Sequence, residues 1–407
     1  MAWEKVKIKE VWKGFYDGPH ATPPVSDDGG IFLGISNITQ NGHIDLSDIK
    51  YISEQDLPKW TKRVVPQGGD IVFSYEATLN LYAIIPEGFH GCLGRRMALI
   101  RVDENKILNK FLFYYFFSQE WRATVSENTI VGATVDRIPI AKFPEFPISL
   151  PPIKVQRKIV DILSAYDDLI ENNQKQIKLL EEAAQRLYKQ WFIDLKFPGH
   201  ETTKIVEGLP EGWKNVQIQD VCKNIGAGGT PSRSQKTFWE NGNIDWFKTQ
   251  ELCDCWLFEA SEKISEEGLK RSAAKMFPAN SVLMAIYASP TLGRLGILTK
   301  EACSNQAALC LQADESKVSN YWLYLKLFEL RDKFNSIARG AGQQNISGII
   351  VKETEIALPD ISVVNAFTKL VRLFFEKQRT LQLQNISLTQ TRDRLLPKLM
   401  SGEIEVQ

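Results

Sequence analysis

The sequence predicts an α+β protein: two tandem mixed α/β domains separated by two long helices that pair as a coiled coil. Two observations lead to this fold class. The chain repeats itself with an offset of about 210 residues, and each half ends in apolar residues spaced alternately four and three apart. At 407 residues the chain is also too long for one ordinary core.

The repeat begins at the start of each half. The pattern W-x-x-V-x-I-x-(E/D)-V runs from Trp3 to Val11 and returns from Trp213 to Val221. Later, the segment from Ile148 to Pro151 returns from Ile356 to Pro359. Because the elements keep their order in both halves, we expect two copies of one unit, related by a pseudo-two-fold axis.

The two predicted domains span residues 1–152 and 197–359. Short β-branched or aromatic runs follow Gly or Pro turns in both, as in Asp70–Phe73 and Ser281–Met284, which is typical of strands. Each domain also has one predicted aromatic helix, around Asn109–Val125 in the first and Ser319–Ala338 in the second.

The predicted long helices span 153–196 and 360–407, and each carries a seam with a spacing of 3.5. In the first helix only Asn173 interrupts the apolar seam positions, which are Ile159, Leu163, Tyr166, Ile170, Ile177, Leu180, Ala184, Leu187 and Trp191. The second seam has polar interruptions and comprises Phe367, Val371, Phe374, Gln378, Leu381, Asn385, Leu388, Arg392, Leu395 and Leu399. Such a helix is marginal alone, so we expect the two to pair, and the alternative is that each packs only on its own domain.

Asn173 and Asn385 both fall near the middle of their predicted helices. The sequence therefore suggests that they face each other across the seam. A buried polar pair of this kind fixes the register of two helices at a cost in stability.

The composition and the absent motifs limit the function. Forty-nine basic and 49 acidic residues give no net charge, which argues against a basic DNA-coating protein but leaves a local basic cleft possible. Dinucleotide and phosphate loops are absent, as are an Asn-Pro-Pro-aromatic segment and paired histidines. We therefore expect no catalytic residue, no metal site and no cofactor in this chain. Scattered cysteines and the lack of a signal peptide indicate a cytoplasmic protein.

Several motifs resemble those of type I restriction–modification specificity subunits, and together they span most of the chain. The matching segments are Asp17–Pro23 with Gly30–Leu33, Leu150–Leu163, Asp167–Ile170, Gly340–Ser347 and Arg394–Ile404. Two departures stand out. The second long helix begins with Pro359-Asp360-Ile361 instead of Pro-Pro-x-x-x-Gln, and the first domain has no Gln-Gln-Asn between Gly132 and Ile138.

The resemblance implies a non-catalytic subunit whose two long helices pair antiparallel. It also implies that each domain is a target-recognition domain that reads one half of a bipartite, asymmetric site in double-stranded DNA. The implied partners are two modification methyltransferase subunits, which would supply S-adenosylmethionine and methylate adenine, and a restriction/translocase subunit. The competing interpretation is a protein-interaction scaffold that does not bind DNA, which the zero net charge favours.

Reading a base edge requires Arg, Lys, Asn, Gln, Ser or Thr on rigid loops. The candidates in the first domain are Ser74, Tyr75, Thr78, Asn80, Arg95, Arg96 and Arg137. Those in the second are Tyr287, Ser289, Thr291, Arg294, Asn305, Gln306, Arg339, Gln343, Gln344 and Asn345. Matching positions in the repeat suggest that each set shares one face. Two alternatives stay open: the arginines contact only phosphates, or Gln343–Ser347 merely caps or turns into the next element.

Overall fold

The computed structural model describes residues 3–132, 135–287, 291–338 and 345–406. The chain forms two compact units: unit 1 comprises Met1–Ile170 and Ser387–Gln407, and unit 2 comprises Glu171–Ile386. Each unit therefore contains a mixed α/β part and a portion of both long helices. The division into four segments at residues 152, 196 and 359 stays a prediction. No helix in the described ranges is long and apolar enough to cross a membrane.

Unit 1 contains a four-stranded sheet in the order β2-β8-β5-β6, a three-stranded sheet in the order β4-β3-β7, and a β1–β9 pair. Its strands are β1 Glu4–Lys7, β2 Trp12–Asp17, β3 Gly30–Leu33, β4 Lys50–Ile52, β5 Ile71–Ser74, β6 Tyr82–Ile84, β7 Gly91–Leu93, β8 Met97–Val102 and β9 Pro147–Leu150. Its helices are α1 Leu57–Trp60, α2 Asn109–Tyr115, α3 Gln119–Asn128 and the first part of α4 Ile153–Tyr188.

Unit 2 contains a five-stranded sheet in the order β13-β20-β17-β18-β15, a three-stranded sheet in the order β16-β14-β19, and the pairs β10–β11 and β12–β21. Its strands are β10 Ile205–Val206, β11 Leu209–Pro210, β12 Lys214–Gln217, β13 Cys222–Ala227, β14 Ile244–Phe247, β15 Cys255–Leu257, β16 Lys263–Ile264, β17 Val282–Ala285, β18 Leu295–Leu298, β19 Cys303–Ser304, β20 Ala308–Ala313 and β21 Glu355–Leu358. Its helices are α5 Glu266–Lys270, α6 Asn320–Glu329, α7 Arg331–Ile337, α8 Gly348–Glu353 and most of α9 Ile361–Met400.

The two units share one internal topology, so the predicted repeat is a repeat of structure. The sheet β2-β8-β5-β6 corresponds to β13-β20-β17-β18, and unit 2 adds β15 parallel to β18. The outer pairs also agree, because Val6 lies opposite Ile148 and Val216 lies opposite Ile356. The central strands β5 and β17 are apolar runs buried along their whole length, as a strand covered on both faces requires.

The prediction of a single aromatic helix in each domain is wrong, because each of these segments forms two helices. In unit 1 the break falls at residues 116–118, where the Ser118 hydroxyl accepts a hydrogen bond from the Trp121 backbone N–H (3.2 Å) and so caps α3. In unit 2 the helices α6 and α7 meet at Leu330. In unit 1 a cap therefore divides an apolar pattern that periodicity alone predicts to be one continuous helix.

The long helices pair with each other in unit 2, as the seam predicts. Asn173 contacts Asn385, and the rings of Phe192 and Phe367 lie 4.8 Å apart between centroids, so the helices run antiparallel within this unit. Helix α4 ends in a π-helical segment, Lys189–Ile193. The alternative, in which each helix packs only on its own domain, is excluded for unit 2.

The hydrogen bond between the two seam asparagines confirms the contact expected from the sequence. The Asn173 side-chain N–H donates to the Asn385 Oδ1 (2.9 Å), and Asn173 is 7% exposed. In unit 1 the polar seam residue is Arg392, whose guanidinium donates to Asp167 (2.6 Å), while the Tyr114 hydroxyl donates to the other oxygen of Asp167 (2.5 Å).

One departure from the family motif has a structural reason. Gln156 is fully buried in unit 1, where its Oε1 accepts from the backbone N–H of Leu108 (2.9 Å) at the start of α2. At the start of α6 in unit 2, Ser319 caps the helix with its own hydroxyl. The position on α9 that corresponds to Gln156 is the buried, apolar Val364. Unit 2 therefore does not need the glutamine.

Candidate nucleic-acid interface

Three loops of unit 1 meet at one edge of its four-stranded sheet. The backbone N–H of Tyr75 donates to the Arg96 carbonyl (3.1 Å), and that of Ile138 donates to the Tyr75 carbonyl (2.7 Å). An isolated antiparallel bridge joins Glu76 to Arg137. We call residues 74–80, 94–96 and 135–138 the unit 1 loop cluster. Its members lie up to 64 positions apart in sequence but share one backbone network.

The same network recurs in unit 2. The N–H of Ile286 donates to the Ala307 carbonyl (2.9 Å), and that of Ile346 donates to the Ile286 carbonyl (3.0 Å). An isolated bridge joins Tyr287 to Asn345. We call residues 286–287, 291–294, 305–307 and 345–346 the unit 2 loop cluster. The structure thus brings the predicted sets together; Ser289, Arg339, Gln343 and Gln344 lie outside the described residues.

The candidates of the unit 1 loop cluster differ in exposure. Ser74 is fully buried, and its hydroxyl donates to the Thr78 carbonyl, so it holds the shape of the loop. The Asn80 side chain accepts a hydrogen bond from the Tyr82 hydroxyl (3.1 Å). Thr78, Arg95 and Arg137 are exposed. The two arginines therefore present their guanidinium donors to solvent.

Arg96 and Tyr75 lie just beneath that exposed layer. The Arg96 Nε lies 3.2 Å from Glu76 Oε1, an ion pair that lacks hydrogen-bond geometry. Tyr75 is 6% exposed, and its hydroxyl has no hydrogen-bond partner among the described residues. Burial raises the pKa of Tyr75, and the charges of Asp17 and Glu76 raise this pKa further. The phenol therefore keeps its proton at neutral pH.

The unit 2 loop cluster presents amides, a phenol and one half-buried guanidinium, that of Arg294. Gln306 is exposed, and its Oε1 accepts a hydrogen bond from the Thr230 hydroxyl. Tyr287 is 39% exposed, and its carbonyl accepts from the buried Thr291 hydroxyl (3.2 Å). The Asn305 Oδ1 is buried and accepts no hydrogen bond within the described part of the chain.

The segment around Asn345 serves a second purpose, which agrees in part with the capping alternative. The Ser347 hydroxyl accepts a hydrogen bond from the Ile350 N–H (3.3 Å) and so caps α8. Asn345 itself is half-buried and belongs to the bridge with Tyr287. Ser347 is therefore a structural residue, while Asn345 stays a candidate for base contact.

The sequence analysis missed a basic cavity next to the unit 1 loop cluster. It has a volume of about 460 Å³ and is lined by Lys59, Trp60, Lys62 and Arg63 together with the Asp17–Ala21 segment. The Arg63 guanidinium donates to Asp17 (2.5 Å) and to the Gly18 carbonyl (3.1 Å). The Asp17–His20 motif lines this cavity, but the sequence analysis used it only for the family resemblance, and the lysines, more than 35 residues away, gave no local signal.

Unit 2 has a stacked arginine that the sequence also did not reveal. The Arg233 guanidinium lies 3.6 Å from the ring centroid of Trp239 and 5.3 Å from that of Trp246. Glu262 pairs with both Arg233 and Lys248, and these partners lower the pKa of the Glu262 carboxyl. This arrangement fixes Arg233 on the surface of the unit. Groups of three or more His, Cys, Asp or Glu that could hold a metal ion are not found in the described ranges.

The chain belongs to the family of type I restriction modification DNA specificity domains, whose model matches residues 2–182 and 210–381. It is 26% identical to the type I restriction enzyme MjaIX specificity subunit of Methanocaldococcus jannaschii, over 98% of this chain and 89% of that protein. It is 24% identical to the HindI specificity subunit of Haemophilus influenzae, over 92% and 94%.

The fold agrees with that family. The chain is similar to the crystal structure of a type I restriction-modification system S subunit from M. genitalium, with a TM-score of 0.57 and 14% identity. The similarity covers 98% of this chain and 96% of that structure. The tandem repeat and the long helices are thus features of the family fold.

Proposed function

We propose that this chain is the non-catalytic, DNA-reading subunit of a type I restriction–modification system. Each unit reads one half of a bipartite, asymmetric site in double-stranded DNA. The observation that carries this proposal is the loop cluster, which two units build with the same backbone hydrogen bonds but with different exposed side chains. A shared scaffold with different donors and acceptors is what two different half-sites require.

Family membership supports a proposal for the partners and the cofactor of the complex. We propose that the chain binds two modification methyltransferase subunits, which hold S-adenosylmethionine and methylate adenine, and a restriction/translocase subunit. In this assembly our chain contributes no reacting group and acts by placing the methyltransferase on its site. Its place of action would be the cytoplasm, where the DNA substrate is.

The competing function is a protein-interaction scaffold that does not bind DNA. Its support is the absence of net charge. The exposed Arg95 and Arg137 and the cavity lined by Lys59 and Lys62 favour DNA, because they concentrate positive charge on one part of unit 1. A DNA-binding complex should lose affinity steeply as salt rises, since each phosphate contact releases counterions.

The decisive experiment is to co-express the chain with its modification subunit in a host that lacks adenine methylation and to map methylated bases by long-read sequencing. We expect one asymmetric two-part motif with a methylated adenine in each part. An intact complex that binds S-adenosylmethionine yet leaves the genome unmethylated would contradict the proposal and favour the scaffold.

A further inference from the structure

The two loop clusters differ in the chemistry that they present at equivalent backbone positions. On this difference, and resting on the proposed function, we infer that unit 1 reads a half-site through G·C base pairs and unit 2 reads its half-site through A·T base pairs.

The equivalence of positions comes from strand register and backbone hydrogen bonds. Ser74 pairs with Met97 in unit 1, as Ala285 pairs with Ala308 in unit 2. Counting from these pairs gives two matched positions, which are Arg95 with Gln306 and Glu76 with Tyr287. The bridges Glu76–Arg137 and Tyr287–Asn345 then match Arg137 with Asn345.

The unit 1 set suits a G·C pair. Guanine offers two acceptors, O6 and N7, in the major groove, and a guanidinium meets both at once; cytosine offers an amino donor, which a carboxylate accepts. Arg95 and Arg137 are exposed, and Glu76 lies 3.2 Å from Arg96 at the same edge. Unit 1 therefore presents guanidinium donors and one carboxylate acceptor side by side.

The unit 2 set suits an A·T pair. In the major groove adenine offers its N6 amino group as a donor and N7 as an acceptor. An amide side chain matches both, because its oxygen accepts and its N–H donates. Gln306 and Asn345 supply amides at the positions of Arg95 and Arg137, and the Gln306 Oε1 accepts a hydrogen bond from the Thr230 hydroxyl. The ring of Tyr287 offers apolar surface for a thymine methyl group, in place of the Glu76 carboxylate.

The test uses the complete complex of this chain with its modification subunit and a duplex that contains the mapped motif. Guanines are replaced one at a time by 7-deazaguanine and adenines by 7-deazaadenine, which lack the N7 acceptor. The chain is compared with Arg95→Ala/Arg137→Ala, with Gln306→Ala/Asn345→Ala, and with the control Lys110→Ala, an exposed residue outside both loop clusters. Thermal denaturation checks that each variant folds.

We expect 7-deazaguanine in one half-site to weaken binding by about 10- to 100-fold, the range for a bidentate base contact. The unit 1 double variant should bind the 7-deazaguanine duplex and the unmodified duplex equally well. In the other half-site, 7-deazaadenine should weaken binding by the parent chain but not by the unit 2 double variant. Arg95→Lys/Arg137→Lys keeps the positive charges but loses the planar fork of the guanidinium, so its penalty for 7-deazaguanine should fall between those of the parent and the alanine variant.

Three results would overturn the inference. In the first, a motif is mapped, but the arginine variants weaken specific and random duplexes equally, which is the behaviour of phosphate contacts. In the second, the arginine variants lose specificity at an A·T base pair of the motif, or the amide variants lose specificity at a G·C base pair. In both cases the proposed function stands. In the third, no motif is found, which removes the proposed function together with the inference.

Discussion

Polar side chains interrupt the helix seam in both units, but their chemistry differs. In unit 1 Arg392 forms an ion pair with Asp167, and the Tyr114 hydroxyl of α2 donates to the same carboxylate. In unit 2 the interruptions are neutral, namely the pair Asn173 and Asn385 and the buried Gln378. The first network connects both long helices to the α/β part of its unit, whereas the hydrogen bond between Asn173 and Asn385 connects one helix to the other.

The charged network of unit 1 therefore holds the long helices on the α/β part of that unit, whereas the asparagine pair of unit 2 sets the register of the two helices. A charge that is removed from unit 1 leaves a partly buried carboxylate without its cation, which is costly. A neutral pair can be replaced by apolar side chains without leaving a charge behind. The first three predictions below test this comparison in order of decreasing effect, and the fourth tests a pH dependence in unit 2.

The largest loss of stability should come from a change in the apolar part of the seam. This loss is the reference for the two polar networks. Phe367 is fully buried in unit 2 and packs against the rings of Tyr188, Trp191 and Phe192. We expect Phe367→Ala to lower the free energy of unfolding by about 3–5 kcal/mol, measured by denaturant titration. The control is Leu373→Ala, because Leu373 lies outside the seam and is 64% exposed. A decrease of more than about 0.5 kcal/mol in the free energy of unfolding of this control would contradict the assigned seam.

The second prediction breaks the charged network of unit 1. Arg392→Met should destabilise the protein by about 2 kcal/mol, less than for a fully buried pair because the Asp167 side chain keeps 22% exposure. The matched control is Arg372→Met, which removes an exposed pair with Glu376 and should cost less than about 1 kcal/mol. Equal losses in the two variants would mean that the Arg392 pair contributes no more than a surface pair.

The third prediction concerns the neutral pair. Asn173→Leu/Asn385→Leu should raise the free energy of unfolding by about 1 kcal/mol, because two apolar side chains replace a buried polar pair. The single variant Asn173→Leu should be less stable than the double variant, since it leaves the Asn385 amide facing leucine. Thermal denaturation measures both, and a lower melting temperature for the double variant would show that the pair stabilises the seam.

The fourth prediction depends on pH and concerns a carboxyl of unit 2. In unit 2 burial, together with the charges of Asp254 and Glu182, raises the pKa of Glu181 from 4.5 to about 7. The carboxyl ionises near pH 4.5 in the unfolded chain but only near pH 7 in the folded chain. The contribution of Glu181 to the free energy of unfolding therefore falls as pH rises from 4.5 to about 7, and it stays low at higher pH.

Glu181→Gln removes this titration. The melting temperature of the variant relative to the parent should therefore be higher at pH 8 than at pH 5. The exposed Glu301→Gln serves as the control and should show no such difference between the two pH values. A constant difference for Glu181→Gln across the range would contradict the assigned burial.

Much of the helix seam could be predicted from sequence, because a 3.5 spacing depends on local order alone. Ile159, Leu163, Val371 and Leu381 are buried as that spacing requires, and the Asn173–Asn385 contact follows from the repeat. The Arg392 network was not predictable, because its partners lie 225 residues away on α4 and further still on α2.

The meeting of the loops that carry the candidate residues could be predicted, but the exposure of their side chains could not. Matching positions of the repeat indicated which loops meet, and the backbone bonds agree. Exposure depends instead on tertiary packing: Ser74 points inward and closes its loop, while Arg137 stays in solvent. The cavity lined by Lys59 and Arg63 depends on packing in the same way.

The division of the chain between the two units also bears on synthesis. Unit 2 is one continuous stretch, Glu171–Ile386, whereas unit 1 requires residues from both sides of it. Leu396, Leu399 and Met400 belong to the apolar core of unit 1 together with Ile8 and Phe73. On the ribosome, the half that is translated first is therefore the half that is completed last. A chain cut after residue 386 would contain every residue of unit 2 but would lack part of unit 1.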